Sequence, residues 1–447
     1  MRLVDKWSKV IWSILDQMRP SLNIIEAIDS VMEILIAKLI ISYVQTDKMT
    51  MLESLDIEVS KLKQAVEEKN IEDQILGTMS YLEETPFLKG VFTSLQDKQR
   101  IHELVEKLEE ISFEENLEDS KRIGELFLVL IEKRDQAGRG DGFTPTSIRK
   151  LVSGLLSHEQ FQEVYDPVIG SGSLAVQVAI DNKVELIYGQ DISVDAIRYC
   201  KLLLIAYGKV DSIKNIKSGD VLLEPAYLEN NKLKQWETIV AVPPMGIVIL
   251  DKENLMAHAY GRFNEEMQSV RAADIIFISH IISSLKDEGR AVVLVNNGVL
   301  FRQGAEAIIR KQWLDEKIIE SVIQLPAKML TNTAIPTSLI IFNKKKVNET
   351  ILFMDLTNEV SKISKLTTVL SDQTIHKACE IYHKQLETVL SMKVTVKEVL
   401  ENDCNLAVNR YFEVEGEEID LEEVNTRLVQ LKKELLMIQT EIEEILD

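Results

Sequence analysis

Residues 166–174 read DPVIGSGSL, and this short stretch decides how the rest of the chain is read. It follows the apolar pair Val164–Tyr165 and precedes a helical run. Gly170 and Gly172, with Ser171 between them, let the backbone turn tightly and approach a ligand closely. The free N–H groups of the following helix would then face that ligand. Any tight strand-to-helix turn also uses such glycines, so the loop alone does not decide a function. Outward from it, short apolar runs alternate with helical stretches: Leu186–Tyr188, Thr238–Ala241, Ala291–Val295, Ser321–Leu325 and Ser338–Phe342. Strand–helix alternation of this kind predicts a parallel sheet covered on both faces. The last two runs lack a helix between them and are expected to form an antiparallel hairpin at one edge.

Acidic residues end two of these runs. Asp191, in IYGQDIS, lies 25 residues beyond Asp166, where a carboxylate can accept from ribose hydroxyls. Asp220, in KSGDVL, ends the next run, at a level where it can accept from an adenine amino group. Upstream, GRGDGFTPTSIRKL at 138–151 sets Phe143, Thr144 and Pro145 just before a helix. Ile148, Leu151, Val152 and Leu155 give that helix one apolar face.

The flanks read differently. Residues 1–139 show apolar residues at three- and four-residue spacing with almost no glycine, which predicts a helical N-terminal domain. The sheet domain is expected over 140–346, followed by a mixed, mainly helical segment over 347–419. From 420 to 447, Leu421, Val424, Leu428, Leu431, Leu435, Ile438, Ile442 and Ile445 alternate by threes and fours, a coiled-coil seam. Its stripe needs a partner helix, either in another chain or among the N-terminal helices. Three cysteines, Cys200, Cys379 and Cys404, form no CxxC pair. Neither a disulfide framework nor a metal site is expected, and a reducing cytoplasm is. No signal peptide is recognised, and Glu33 and Lys38 interrupt the apolar run at 30–44, so no membrane span is expected. A net charge of −21 argues against strong DNA binding by the chain alone, though not by a subunit whose partner is basic. Many cytoplasmic proteins are acidic for unrelated reasons.

The sequence WETIVAVPPMG at 236–246 places Val242, Pro243, Pro244 and Met245 after a strand. In this setting the chain resembles the adenine-N6 DNA methyltransferases, and most closely the methylation subunits of type I restriction–modification systems. The resemblance runs through GRAVVLVNNGVLFRQGAEAIIRKQW, ESVIQLPAKMLTNTAIPTSLIIFNKKK and LAVNRYF, and more loosely through the N-terminal helices. It implies an α/β fold: a Rossmann-like class I S-adenosylmethionine-dependent methyltransferase domain with a helical N-terminal domain and a C-terminal coiled-coil helix. It also implies that Asp166, Gly170, Ser171 and Gly172 hold the methionine end of S-adenosylmethionine. Phe143, Thr144 and Pro145 would line the same pocket, with Asp191 on the ribose and Asp220 on the adenine. A specificity-type DNA-recognition subunit would pair with the coiled-coil tail and the N-terminal domain, and double-stranded DNA would be met through that complex.

The family pattern at 242–245 is [ND]-P-P-[FYW]. There the Asn or Asp oxygen accepts from the target amino group and the aromatic residue stacks on the flipped base. Valine has no side-chain acceptor, and methionine stacks less well. The catalytic tetrapeptide is therefore expected to be impaired. Two alternatives stand beside that expectation: an active subunit with a substitute acceptor such as Asn296 or Asn297, and a non-catalytic scaffold or cofactor sensor that places a partner on DNA. Lys344, Lys345 and Lys346 fit a solvated strand end better than a phosphate contact. The six histidines show no metal-ligand spacing.

Overall fold

The computed structural model describes residues 3–18, 23–46, 52, 54–67, 70–93, 98–108, 111, 117–137, 142–249, 251–258, 260–330, 335–345, 349–362, 368–412 and 431–432. The chain separates into two compact units, Met1–Val408 and Asn409–Asp447. The expected coiled-coil tail over 420–447 lies outside the described residues except for Leu431 and Lys432, which are helical.

Among the described residues, six α-helices come first: α1 (Leu3–Met18), α2 (Ile24–Gln45), α3 (Val59–Val66), α4 (Ile71–Glu84), α5 (Lys98–Lys107) and α6 (Leu117–Ala137). Helix α2 is apolar nearly all round and is buried along most of its length, as such a helix must be. It starts at Asn23, whose side chain accepts from the Ile25 N–H at 3.1 Å. Glu33, in its middle, is fully buried, and its charge is met by Arg198. No helix among the described residues is long and apolar enough to cross a membrane.

The remainder of this unit is built on one sheet. In chain order its parts are α7 (Thr146–Leu155), β1 (Glu163–Asp166), α8 (Ser173–Asp181), β2 (Leu186–Asp191), α9 (Val194–Ala206) and β3 (Ile216–Ser218). A short hairpin β4 (Leu228–Glu229) and β5 (Lys232–Leu233) leads to β6 (Trp236–Ala241), α10 (Lys252–Ala257), α11 (Ala273–Ser283) and β7 (Leu285–Asn296). Then come α12 (Gly298–Phe301), α13 (Ala305–Asp315), β8 (Ile319–Gln324), β9 (Thr337–Asn343) and β10 (Thr350–Asp355). A second small hairpin, β11 (Ser361–Lys362) and β12 (Thr368–Val369), precedes α14 (Asp372–Lys384), β13 (Ser391–Thr395) and α15 (Val396–Glu401).

The nine-stranded order is β13-β10-β8-β9-β7-β6-β1-β2-β3. Strands β7, β6, β1, β2 and β3 run parallel, and β9 is antiparallel to both β7 and β8. The β8–β9 hairpin therefore forms as expected, but not at an edge. Strand β10 adds parallel to β8 and β13 antiparallel to β10, so the sheet continues past residue 346. The apolar run Ile351–Met354 is fully buried there, covered on both faces.

Candidate cofactor and target-base site

The carboxyl ends of β1, β2, β3 and β6 lie side by side, where ligands of open α/β sheets bind. The register sets Tyr165 of β1 against Ile239 of β6, so the glycine loop and the segment from Val242 leave the sheet from neighbouring strands at one end. Gly170 (φ +53°) and Gly172 (φ +77°) both take left-handed backbone that side chains resist. A Cβ on Gly170 would stand 2.5 Å from the carbonyl oxygen of Gly142, so the arm carrying Phe143–Pro145 lies directly on the loop. A Cβ on Gly172 would stand 2.6 Å from the Cys200 sulfur.

Asp191 fastens the loop. One carboxylate oxygen accepts from the Gly170 N–H at 2.8 Å and the other from the Ser193 N–H at 2.9 Å. Its own carbonyl accepts from the Gly219 N–H at 2.9 Å, which brings the Asp220 turn alongside. Asp220 caps that turn by accepting from the Leu222 N–H at 2.8 Å. Burial raises the pKa of Asp191 against the lowering effect of these N–H donors. Asp166 is 2% exposed and accepts from the Val168 N–H at 3.0 Å. Burial, with the Asp191 charge adding, pushes its carboxyl up to about 8.

The upstream arm is held by Ser173 and Arg149, two residues within the stretches 166–174 and 138–151 to which the sequence pattern assigns no role. Ser173 Oγ accepts from the Thr144 N–H at 3.0 Å. The Arg149 guanidinium donates to Thr144 O at 2.9 Å, Gln177 Oε1 at 3.0 Å and Thr146 Oγ1 at 2.9 Å. Phe143 is buried beneath that guanidinium, 5.2 Å from it. Phe143, Thr144, Gly170, Asp191 and the Asp220 turn are thus linked through hydrogen bonds and close approach, with Asp166, Ser171 and Gly172 in the same glycine loop and Pro145 at the start of α7.

Val242 and Met245 are both half-buried and pack against the hydrophobic core. Gly246, next in the chain, donates its N–H to Asp274 at the start of α11. Asn296 at the end of β7 donates to Asp274 and accepts from Arg302 at 2.8 Å. Asn297 accepts from Ser338 Oγ at 2.8 Å. The side-chain oxygens of both asparagines therefore already have donors. Lys344 is not fully solvated: it donates to Leu285 O at 2.9 Å, and burial lowers its pKa.

The sequence matches the family described as N-6 DNA Methylase over residues 119–420, more than half of the chain. The chain belongs to that family. Among relatives of this chain is the type I restriction enzyme MpnII methylase subunit of Mycoplasma pneumoniae. It is 28% identical over 362 residues, which cover 76% of this chain and 66% of that one. The MjaVIII methylase subunit of Methanocaldococcus jannaschii is 30% identical over 326 residues, covering 67% and 55%. The chain thus spans about half to two thirds of the length of these relatives.

Among solved structures, the type I restriction-modification methyltransferase subunit of Streptococcus thermophilus superposes with a TM-score of 0.74. It is 20% identical, with 92% of this chain and all of the other covered. A class I S-adenosylmethionine-dependent methyltransferase from Listeria monocytogenes gives 0.50 at 19% identity, over 75% of this chain and 98% of that one. These likenesses give the fold: the sheet and the helices over it are those of a class I methyltransferase. S-adenosylmethionine is the cofactor that family and fold imply, and the loop fits it. Both glycines are constrained, and Ser171 Oγ is buried with no hydrogen-bond partner among the described residues, so it has capacity for a ligand. A separate cleft of about 590 Å³, lined by Glu159, Glu163, Glu185, Glu237 and Lys286, opens at the amino ends of the strands, away from this site.

Proposed function

We propose that this chain is a methylation-subunit-like component of a type I restriction–modification or related DNA-defence system, working in the cytoplasm. It binds S-adenosylmethionine and is impaired in methyl transfer to adenine N6. The observation that carries the second half is the aliphatic pair Val242 and Met245, both packed against the core at the end of β6.

On this reading the glycine loop with Asp166 and Ser171 holds the methionine end, Asp191 the ribose and Asp220 the adenine. Phe143, Thr144 and Pro145 wall the pocket. The bound cofactor supplies an electrophilic methyl on its sulfonium. Aiming an adenine nitrogen at it requires acceptors for the amino hydrogens, and the side chain at position 242 supplies none. An unmet amino hydrogen costs roughly 1–3 kcal/mol in base binding. Losing an acceptor that acts mainly in the transition state slows the reaction about 100- to 1,000-fold. The asparagines that the sequence offers as substitute acceptors, Asn296 and Asn297, each already accept one hydrogen bond, from Arg302 and Ser338. Residues 1–139 act as the helical N-terminal domain, and the methyltransferase domain expected over 140–346 also takes in β10 and β13 from the segment after it. The mixed segment 347–419 leads to a coiled-coil tail over 420–447. The tail and the N-terminal domain pair with a specificity-type subunit that reads double-stranded DNA. The impaired chain then serves as scaffold or cofactor sensor in that complex.

Calorimetric titration with S-adenosylmethionine tests the pocket, and radiolabel transfer to DNA with a specificity subunit tests the chemistry. Saturable heat without labelling is expected, with partial labelling in Val242→Asn/Met245→Phe. Labelling by the unaltered chain at the rate of relatives with an intact tetrapeptide would sink the impairment.

A further inference from the structure

A second buried arginine lies behind the adenine end of the site. Arg262 follows α10 in the excursion that leaves the tetrapeptide, and it is 4% exposed. Its guanidinium donates to Val221 O at 2.9 Å and to Leu222 O at 2.7 Å. These are the two carbonyls directly after Asp220. It also donates to His258 O at 2.7 Å and meets His280 Nδ1 at 3.0 Å. Four of its five N–H groups are thereby accounted for. Since guanidinium only donates, His280 Nδ1 must accept and Nε2 carries the proton, facing Tyr165 Oη of β1 at 3.3 Å. One planar fork thus ties the Asp220 turn to the segment behind the tetrapeptide, to α11 and to β1.

The turn needs such a tie. Strand β3 is only three residues long and lies at the end of the sheet, so its ladder does little to secure the turn after it. Gly219 (φ +143°) adds a backbone that bends freely. Within the turn, Asp220 Oδ1 accepts from the Leu222 N–H, so the carboxylate is aimed by the Val221–Leu222 peptide, whose carbonyl Arg262 holds along with that of the next peptide. The Asp220 charge in turn favours the cationic guanidinium, against the burial that lowers its pKa to about 10.

We propose that Arg262 is the positioning residue for Asp220, and that through it the adenine end of the cofactor site is coupled to the segment leaving the target-base tetrapeptide. This rests on the reading of Asp220 as the adenine contact. The test is calorimetric titration of the full chain with S-adenosylmethionine, for the unaltered protein and for Asp220→Asn, Arg262→Lys, Arg262→Met and the Asp220→Asn/Arg262→Met double variant. Arg262→Met should weaken binding by about 10-fold or more, and Arg262→Lys, which keeps the charge but not the fork, by less. Because both residues act on one contact, Arg262→Met added to Asp220→Asn should cost less than about threefold further. A generally loosened fold would instead multiply the two losses. Far-ultraviolet circular dichroism and melting curves identify a variant that does not fold, in which case Arg262→Lys carries the same comparison. Equal affinity of a folded Arg262 variant and the unaltered chain, or multiplying losses, would overturn this inference alone. An unaltered chain that gives no heat would overturn the cofactor reading beneath it.

Discussion

Replacing Gly170 with alanine tests whether the upstream arm and the glycine loop form one cradle. The added Cβ would lie 2.5 Å from Gly142 O, against an ordinary contact of 3.4 Å or more, a shortfall of about 0.9 Å. It would also lie 3.2 Å from the Gly142 carbonyl carbon and Cα, so the obstacle is backbone and has no rotamer to turn away. The left-handed φ of +53° adds about 1–2 kcal/mol for any side chain. Forcing an extra methyl into packed surroundings adds about 1–3 kcal/mol. The summed cost is about 2–5 kcal/mol. Relief requires the arm to lift, and the arm is tied by Thr144 to Ser173 and by Arg149 to Thr144. The strain therefore appears in the cofactor pocket. Gly90 is the matched control: its φ is +80°, and a Cβ there meets nothing within 4 Å. Gly90→Ala should cost only the backbone part, about 1–2 kcal/mol, and leave cofactor affinity unchanged. Denaturant unfolding and titration with S-adenosylmethionine compare the two, and a 10- to 100-fold loss of affinity is expected for Gly170→Ala alone. Matching stability and affinity in both variants would refute the close approach.

Buried charge and close contact lead to further expected outcomes. Arg198→Ala should destabilise the chain by about 3–5 kcal/mol in denaturant unfolding, because fully buried Glu33 loses its cation and Asp29 one of its partners; a loss under 1 kcal/mol would contradict it. Asp166, held up to about 8 in the fold against 3.8 when unperturbed, keeps a proton that the unfolded chain releases. Its contribution to stability therefore falls as pH rises from about 4 to about 8. Asp166→Asn should flatten that slope, and an unchanged unfolding–pH curve would count against the buried carboxyl. Since a cationic cofactor favours the carboxylate, binding near pH 7 should release a proton, seen as heat that varies with buffer ionisation enthalpy. Gly172→Ala should destabilise through the Cys200 sulfur 2.6 Å from the new Cβ. Adding Cys200→Ala should restore the steric part and leave the backbone part.

The sheet was legible where its strands carry their own signal. The apolar runs at 238–241, 291–295, 321–325 and 338–342 fall within or largely within β6, β7, β8 and β9, whose central positions are buried on both faces. What periodicity does not carry is which strand lies beside which. The run Ile351–Met354 is as apolar as its neighbours, yet its pairing with β8 is a non-local choice, and through it the β8–β9 hairpin moves to the interior. The site divides in the same way. The glycine loop, Asp191 and Asp220 show as residue types at strand ends. That Asp191 serves the Gly170 N–H becomes visible only when β1 and β2 pair. Arg149, Arg198 and Arg262 were opaque, since a charged residue in a sequence suggests surface. Their burial depends on carbonyls and carboxylates brought from 4 to 169 positions away.

If the chain is impaired as proposed, the packing of Val242 gives a stability reason for the change. An acceptor at 242 would stand at the end of a buried strand, a place where a polar group costs stability unless a ligand meets it. Valine there contributes apolar burial to the core instead. Val242→Asn should therefore lower unfolding stability by about 1–2 kcal/mol, from lost burial and a partly unmet amide. That change should accompany any methyl transfer gained with Met245→Phe. Unfolding curves for the single variant, the double variant and the unaltered chain separate the two effects. If Val242→Asn proves as stable as valine, the position is not a packing site. The aliphatic pair would then need an explanation outside the core.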